Sequence, residues 1–117
     1  MDNVVDLDAA VREIDRRRGV WQGLGIAAGE TTWRDRGEEW PHPFKTGRAA
    51  VVDADSIGVE LAKGPQRGSI VLFTGGWADF AYGDGDDLLV QEAPGWGDPL
   101  DVGKFAGELD RLTKLFA

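Results

Sequence analysis

The side chains with the clearest capacity for chemistry are three aspartates that lie close together in the chain, Asp84, Asp86 and Asp87. Carboxylates at this spacing can bind calcium or act as a catalytic acid and base. A helix–loop–helix calcium site needs oxygen ligands at alternate positions and a glutamate at the twelfth. Counted from Asp84, Leu88 occupies the fifth position and Gly95 the twelfth. We therefore predict no metal site in this stretch.

Nucleophiles and bases are scarce elsewhere in the sequence. The chain has no cysteine, its serines are Ser56 and Ser69, and its one histidine is His42. A hydroxyl nucleophile needs an adjacent base, and a transition-metal site needs imidazole or thiolate ligands that this composition hardly supplies. No glycine-bearing stretch matches a phosphate-binding or dinucleotide-binding fingerprint. We predict that the protein is not an enzyme, has no catalytic residues and binds no cofactor.

A hairpin turn is the better interpretation of the acidic stretch. The stretch joins two runs of β character, "WADFAY" and "LLVQEA". Asp-Gly is among the most favourable dipeptides for a tight hairpin. We predict that Asp84 and Gly85 set the turn, and that Asp86 and Asp87 extend an acidic surface beside it.

Charge is distributed unevenly along the chain. Residues 51–101 hold ten acidic residues against Lys63 and Arg67, so this segment alone accounts for the net charge of −8. An acidic surface repels nucleic acid and membranes and attracts basic proteins. Acids that simply keep a small domain in solution are the alternative explanation. We expect neither a nucleic acid nor a membrane as partner.

Tryptophan is the other unusual feature, with five in 117 residues. Large rings can fill a small core while the indole N–H finds a hydrogen-bond acceptor. They can also lie exposed as rigid anchors for a protein partner. Trp77 and Trp96 adjoin glycines and acids, and we take these two as candidate anchors.

Two amphipathic helices are predicted, one on each side of a region with β character. The first covers residues 7–18, with Asp6 as its N-cap and Gly19 as its stop. The second covers residues 101–116, where apolar residues recur every three or four positions. No apolar run approaches the ~18 residues of a membrane-spanning helix, and the N-terminal stretch lacks signal-peptide character. We expect a cytoplasmic protein.

Short β runs follow one another from Arg48 onward, separated by turn signals: "AAVVDA", "IGVELAK", "SIVLF", "WADFAY" and "LLVQEA". Residues 34–47 are predicted to form a loop with aromatic anchors, and residues 20–33 are ambiguous, with a short strand at 24–28 as one alternative. The chain is therefore predicted to be a single α+β domain over residues 1–117. It would consist of an N-terminal helix, an antiparallel β-sheet meander of about four to five strands and a C-terminal helix packed on one face.

Three pieces of the C-terminal part form a recognisable series: Lys45, the stretch "TGGWADF" and the stretch "FAGELDRL". Over residues 45–115 the chain resembles the TriTu-type immunity proteins of bacterial polymorphic toxin systems. The resemblance implies a non-enzymatic protein that binds and neutralises a cognate toxin. It carries over no catalytic residue and no binding residue.

The hypothesis that follows is an acidic surface that covers a basic site on a toxin, such as a nuclease or a nucleotide-targeting toxin. Charge and aromatic character select seven candidate partner-binding residues: Trp77, Asp79, Asp84, Asp86, Asp87, Glu92 and Trp96. The alternative is a small ligand-binding or adaptor domain, with an aromatic pocket formed by Trp33, Trp40 and Phe44.

Overall fold

The chain folds into a six-stranded antiparallel sheet with both helices packed on one of its faces, which confirms the α+β prediction. The computed structural model describes residues 5–36 and 45–117. Its elements are α1 (Leu7–Gly23), β1 (Ala27–Ala28), β2 (Thr32–Asp35), a 3-10 turn (Arg48–Ala50), β3 (Ala54–Lys63), β4 (Gln66–Phe73), β5 (Ala78–Asp84), β6 (Asp87–Glu92) and α2 (Val102–Leu115). None of the described helices is long and apolar enough to cross a membrane.

Helix α1 begins where it was predicted to begin but is longer. The Asp6 carboxylate accepts a hydrogen bond from the Ala9 backbone N–H at 3.1 Å, as an N-cap should. The predicted stop at Gly19 is wrong, because the helix continues to Gly23. Trp21 lies in the added turn, is fully buried and donates from Nε1 to Thr113 Oγ1 at 2.8 Å. This packing outweighs the roughly 1 kcal/mol that a glycine costs inside a helix.

The sheet is a meander from β3 to β6, with β1 and β2 both paired to the outer side of β3. Strand β2 was not predicted, because its first two residues lie in the ambiguous stretch 20–33 and its last two in the predicted loop 34–47. The predicted run "AAVVDA" is largely not a strand: a 3-10 turn occupies its start and β3 begins only at Ala54. There the Asp35 carboxylate accepts hydrogen bonds from the amides of Val52 and Asp53, which replace the bonds of a strand ladder.

The two faces of the sheet differ in character. Alternation places one set of apolar residues under the helices: Ile57, Val59, Leu61, Ile70, Leu72, Ala78, Phe80 and Tyr82. The apolar stripe predicted for α2 is confirmed, since Phe105, Leu109 and Leu112 are buried against this layer. The fold therefore has two layers, and in the described residues neither helix covers the second face of the sheet.

Candidate partner-binding surface

We call the side of the sheet opposite the helices the open face. Cross-strand pairs fix its membership, because partners in an antiparallel ladder point to the same side. Val71 pairs with Gly58 and Asp79, and Ser69 pairs with Glu60 and Ala81. The remaining members of these rows are Ala27, Thr32, Arg34, Ser56, Ala62, Arg67, Phe73, Gly83, Leu88 and Gln91. The open face thus mixes small, aromatic and charged side chains.

An aromatic corner, formed by Phe73, Trp77 and Trp96, occupies one end of the open face. The Phe73 and Trp77 rings stack with centroids 4.2 Å apart and planes 14° from parallel. Trp96 meets Trp77 edge-on at 5.2 Å and 90°. The Arg34 guanidinium carbon lies 5.4 Å from the Phe73 centroid. Trp96 nevertheless keeps 74% of its surface exposed, which makes it a large apolar group held in a defined place and open to contact.

The loop that carries Trp96 is clamped to the turn before β5. Pro94 O accepts from the Ala78 N–H at 2.9 Å, and the Leu100 N–H donates to Gly76 O at 2.6 Å. Gly95 has φ +89°, and a Cβ there would overlap the Gly76 carbonyl oxygen and lie 2.9 Å from Trp77 Cα. Only glycine fits this approach. Trp96 therefore has a defined position in the free chain, and a group ordered in advance loses less conformational entropy in a contact.

A trough of about 710 Å³ lies at the other end of the open face. Its floor consists of small residues on neighbouring strands, Ala62, Ser69, Ala81 and Gly83, which have at most two side-chain heavy atoms each. Longer residues rise around it: Glu60, Arg67, Asp86, Asp87 and Leu88. The trough can accept an apolar body whose polar groups meet a rim with more acidic than basic residues.

The acids of the β5–β6 hairpin, Asp84, Asp86 and Asp87, are named the hairpin acids. Asp84 pairs with Asp87, so the two loop residues are Gly85 and Asp86. Gly85 has φ +62°, and among non-glycine residues no positive φ occurs in the described chain. A glycine in the first loop position fits a type II′ turn. The predicted hairpin is present and Gly85 does set its turn, but Asp84 is the last paired residue of β5, and the second loop residue is Asp86.

The hairpin acids are solvent-exposed and lack an internal counter-charge. Within the described part of the chain, none of the three makes an ion pair within 4.0 Å, and neither does Asp79. The Gly85 N–H donates to Pro65 O at 3.1 Å, which joins this turn to the turn between β3 and β4. The acids therefore project from a fixed turn, and their field is available to a basic partner.

The structure brings together some of the seven candidate residues but not all of them. Trp77, Trp96 and Asp79 lie near one end of the open face. Asp86 and Asp87 line the trough at the other end. Asp84 lies roughly 17 Å along β5 from Asp79 at the usual rise per strand residue. It pairs with Gln66, which donates hydrogen bonds to Tyr82 and Leu115, so Asp84 belongs to the helix side of the sheet. The candidates on the open face thus form two groups, one at the aromatic corner and one at the rim of the trough, rather than one patch.

Glu92 lies on the helix side of the sheet. A one-residue register shift between the pairs of Tyr82 and Gly83 places Glu92 opposite Phe80, which points toward the helices. Its carboxylate accepts from Arg111 Nη2 at 2.8 Å, and the Arg111 guanidinium carbon lies 4.0 Å from the Phe80 centroid. Burial opposes the charge of Arg111, but hydrogen bonds to Glu108 and Glu92 outweigh it and hold its pKa above the ordinary value. Glu92 therefore forms an ion pair with α2 and is not part of the open face.

The tryptophans divide between core and surface. Trp21 and Trp33 are buried in the core, and the Arg48 guanidinium carbon lies 5.0 Å from the Trp33 ring centroid. Of the aromatic pocket suggested as an alternative, Trp33 is a core residue, while Trp40 and Phe44 lie outside the described residues. His42 also lies outside them.

Sequence reasoning overlooked Phe73, Arg34 and the floor of the trough. Phe73 lies two residues after Val71 in β4, so the alternation of the strand could have predicted a half-buried aromatic side chain on the open face. The trough had no such signal, because its small residues come from separate strands.

Within residues 5–36 and 45–117, no group of three or more histidine, cysteine or acidic side chains is placed to hold a metal ion. Comparisons with protein-family models, curated proteins and solved structures found no match for this chain.

Proposed function

We propose that this protein is a non-enzymatic immunity protein that binds and neutralises a cognate bacterial toxin domain through the open face of its sheet. The observation that carries the proposal is the aromatic corner. Trp96 is 74% exposed yet fixed by ring contacts and by a clamped loop. Exposed tryptophans held in one conformation are typical of residues that dominate protein–protein binding energy.

Charge supports a basic partner. Residues 51–101 account for the whole net charge of −8, and Asp79 and the hairpin acids lack ion pairs among the described residues. An acidic surface speeds association with a basic one and disfavours other partners. A toxin that acts on nucleic acid or nucleotides needs a basic site for its substrate, which fits such a surface. The resemblance of residues 45–115 to TriTu-type immunity proteins supports the same class of function.

A toxicity assay tests the proposal directly. If the neighbouring gene encodes a large secreted protein, the C-terminal domain of that protein would be expressed in a bacterial host, with and without this protein. We expect growth only when both are present. We expect Trp96→Ala to weaken binding of the purified toxin domain by about 2–4 kcal/mol, because truncation removes a large exposed aromatic anchor.

The matched control is Val52→Ala, since Val52 is 91% exposed and is not part of the aromatic corner. We expect this variant to protect and bind like the original protein. Growth arrest despite the original protein would contradict the function. Equal binding by both variants would instead contradict only the assignment of the anchor.

A small-molecule binding domain is the second candidate, and the trough of about 710 Å³ favours it. Pockets of this size accept drug-sized ligands. A thermal-shift screen with nucleotides, sugars and metal salts tests this function, because a ligand that binds only the native state raises the melting temperature. Ala81→Leu, which fills the floor, should abolish any such shift. A shift that persists in that variant would place the ligand elsewhere.

A further inference from the structure

Strand β6 is an open edge of the sheet. It pairs with β5 on one side, and no described strand pairs with it on the other. Alternate backbone N–H and C=O groups of an edge strand point outward without a ladder partner. The opposite edge is more restricted, because β1 has two residues and Trp33 of β2 already exchanges backbone hydrogen bonds with Lys45.

The middle of β6 lacks the features that usually protect an edge. Leu88 and Leu89 are each 60% exposed, and Val90 follows them. Natural edge strands commonly carry lysine, proline or an inward-pointing charge at such positions. Here the register shift beside Gly83 and the inward-pointing charge of Glu92 are the protective features of the strand, and both leave the two leucines in solvent. Leu88 also lines the trough, so the edge is continuous with the open face.

Charge decides which kind of strand can be added. Asp86 and Asp87 precede the leucines and Glu92 follows them. In antiparallel pairing of two copies of β6, Asp87 would face Glu92 of the other copy, and two chains of net charge −8 would be brought together. A second copy is therefore disfavoured. A segment with lysine or arginine at alternate positions would instead satisfy the edge and its acids together.

We propose that the toxin partner adds an extended basic segment to β6 as a further strand of the sheet. This inference rests on the proposed function and names how the partner is held. Backbone hydrogen bonds to β6 supply affinity in strand addition, and side chains at alternate positions supply specificity. Apolar side chains of the added strand cover Leu88 and Leu89, and its basic side chains lie beside Asp86 and Asp87.

The test uses the full-length chain and a defined probe, an acetylated and amidated peptide of alternating lysine and valine about eight residues long. Amide hydrogen exchange followed by NMR reports which backbone groups become hydrogen-bonded. We expect saturable binding that slows exchange of the outward-pointing amides of β6. The same peptide with glutamate in place of lysine should not bind, since it would meet the acids with like charge.

Leu88→Lys/Leu89→Lys tests the site, because it places lysines on the edge and repels the probe. We expect it to weaken peptide binding by about tenfold or more. Its matched control is Val20→Lys/Leu24→Lys, which adds the same charge at two exposed apolar positions in or beside α1. We expect that variant to bind almost as the original protein does.

Four results would overturn the inference: no binding, protection of amides outside β6, equal binding by the two double variants, or dimerisation of the chain through β6. The peptide assay requires no toxin. If the protein protects the host but the peptide fails at β6, the strand-addition inference alone is refuted. If the peptide binds at β6 but the protein gives no protection, the proposed function is refuted.

Discussion

Replacement of Gly95 by alanine gives the sharpest test of the clamped loop. Gly95 has φ +89°, where an L-residue costs about 1–2 kcal/mol. A Cβ there would also overlap the Gly76 carbonyl oxygen and lie 2.9 Å from both Leu100 Cγ and Trp77 Cα. Relief of that overlap requires the loop to move off Gly76, which breaks the hydrogen bond from the Leu100 N–H. We expect Gly95→Ala to lower the free energy of unfolding by about 3–5 kcal/mol.

Gly97→Ala separates backbone strain from crowding. Gly97 has φ +91°, but a Cβ there would meet nothing within 4 Å. We expect this variant to lose only about 1–2 kcal/mol, the cost of the backbone conformation.

Urea denaturation gives the free energies, and the melting temperature of Gly95→Ala should fall by roughly 10–20 °C. Near-ultraviolet circular dichroism should change in Gly95→Ala, since the contact between Trp77 and Trp96 is lost. Equal losses in both variants, with an unchanged spectrum, would refute the view that Trp96 is held by a clamp.

Three further predictions concern the helix layer and the charges. Trp21→Phe should lose about 2–4 kcal/mol of unfolding free energy in urea, since it removes packing and the hydrogen bond to Thr113; a loss like that of a surface substitution would contradict the buried anchor. The hydrogen bond from Arg17 holds the pKa of Asp110 below 3.8, so its contribution to stability is present above that pH and lost as pH falls through the folded-state value. The urea midpoint of Asp110→Asn should therefore lie below that of the original protein at neutral pH and approach it in acid; a constant difference would contradict the linkage. Reversal of all three hairpin acids to lysine should slow toxin association about tenfold at low salt and much less at high salt, whereas a triple glutamate variant should keep the original rate; a salt-independent effect would argue against steering.

The strands of the meander and α2 were predictable because short windows of sequence contain their patterns. Strands show alternation of apolar residues, and α2 shows apolar residues every three or four positions. Ile57, Val59 and Leu61 alternate with small or polar neighbours, and this pattern alone identifies both the strand and its buried side. The end of α1 and the presence of β2 depend on distant partners. Trp21 finds Thr113 and Trp33 pairs with Ile57, and no short window of sequence contains either contact.

The sequence identifies the acidic and aromatic residues that are candidates for the surface. It does not show which face of the sheet each of them lies on. Regular pairing through the β5–β6 hairpin would put Glu92 opposite Asp79, on the open face. The one-residue shift beside Gly83 turns Glu92 to the helix side instead, where Arg111 binds it. A bulge of this kind has no clear local signature, so a list of acids chosen by residue type included Glu92, which lies on the helix side of the sheet.

The contact between the two helices also bears on how the chain folds during synthesis. Trp21 and Thr113 are 92 residues apart, and Arg17 and Asp110 are 93 apart. The hairpins from β3 to β6 join neighbouring segments and can form as they leave the ribosome. Helix α1 is made first but must wait for α2 before its tryptophan is covered. The nascent chain therefore exposes the part of α1 that packs against α2 until α2 emerges, and during that interval chaperones or proteases can act on it.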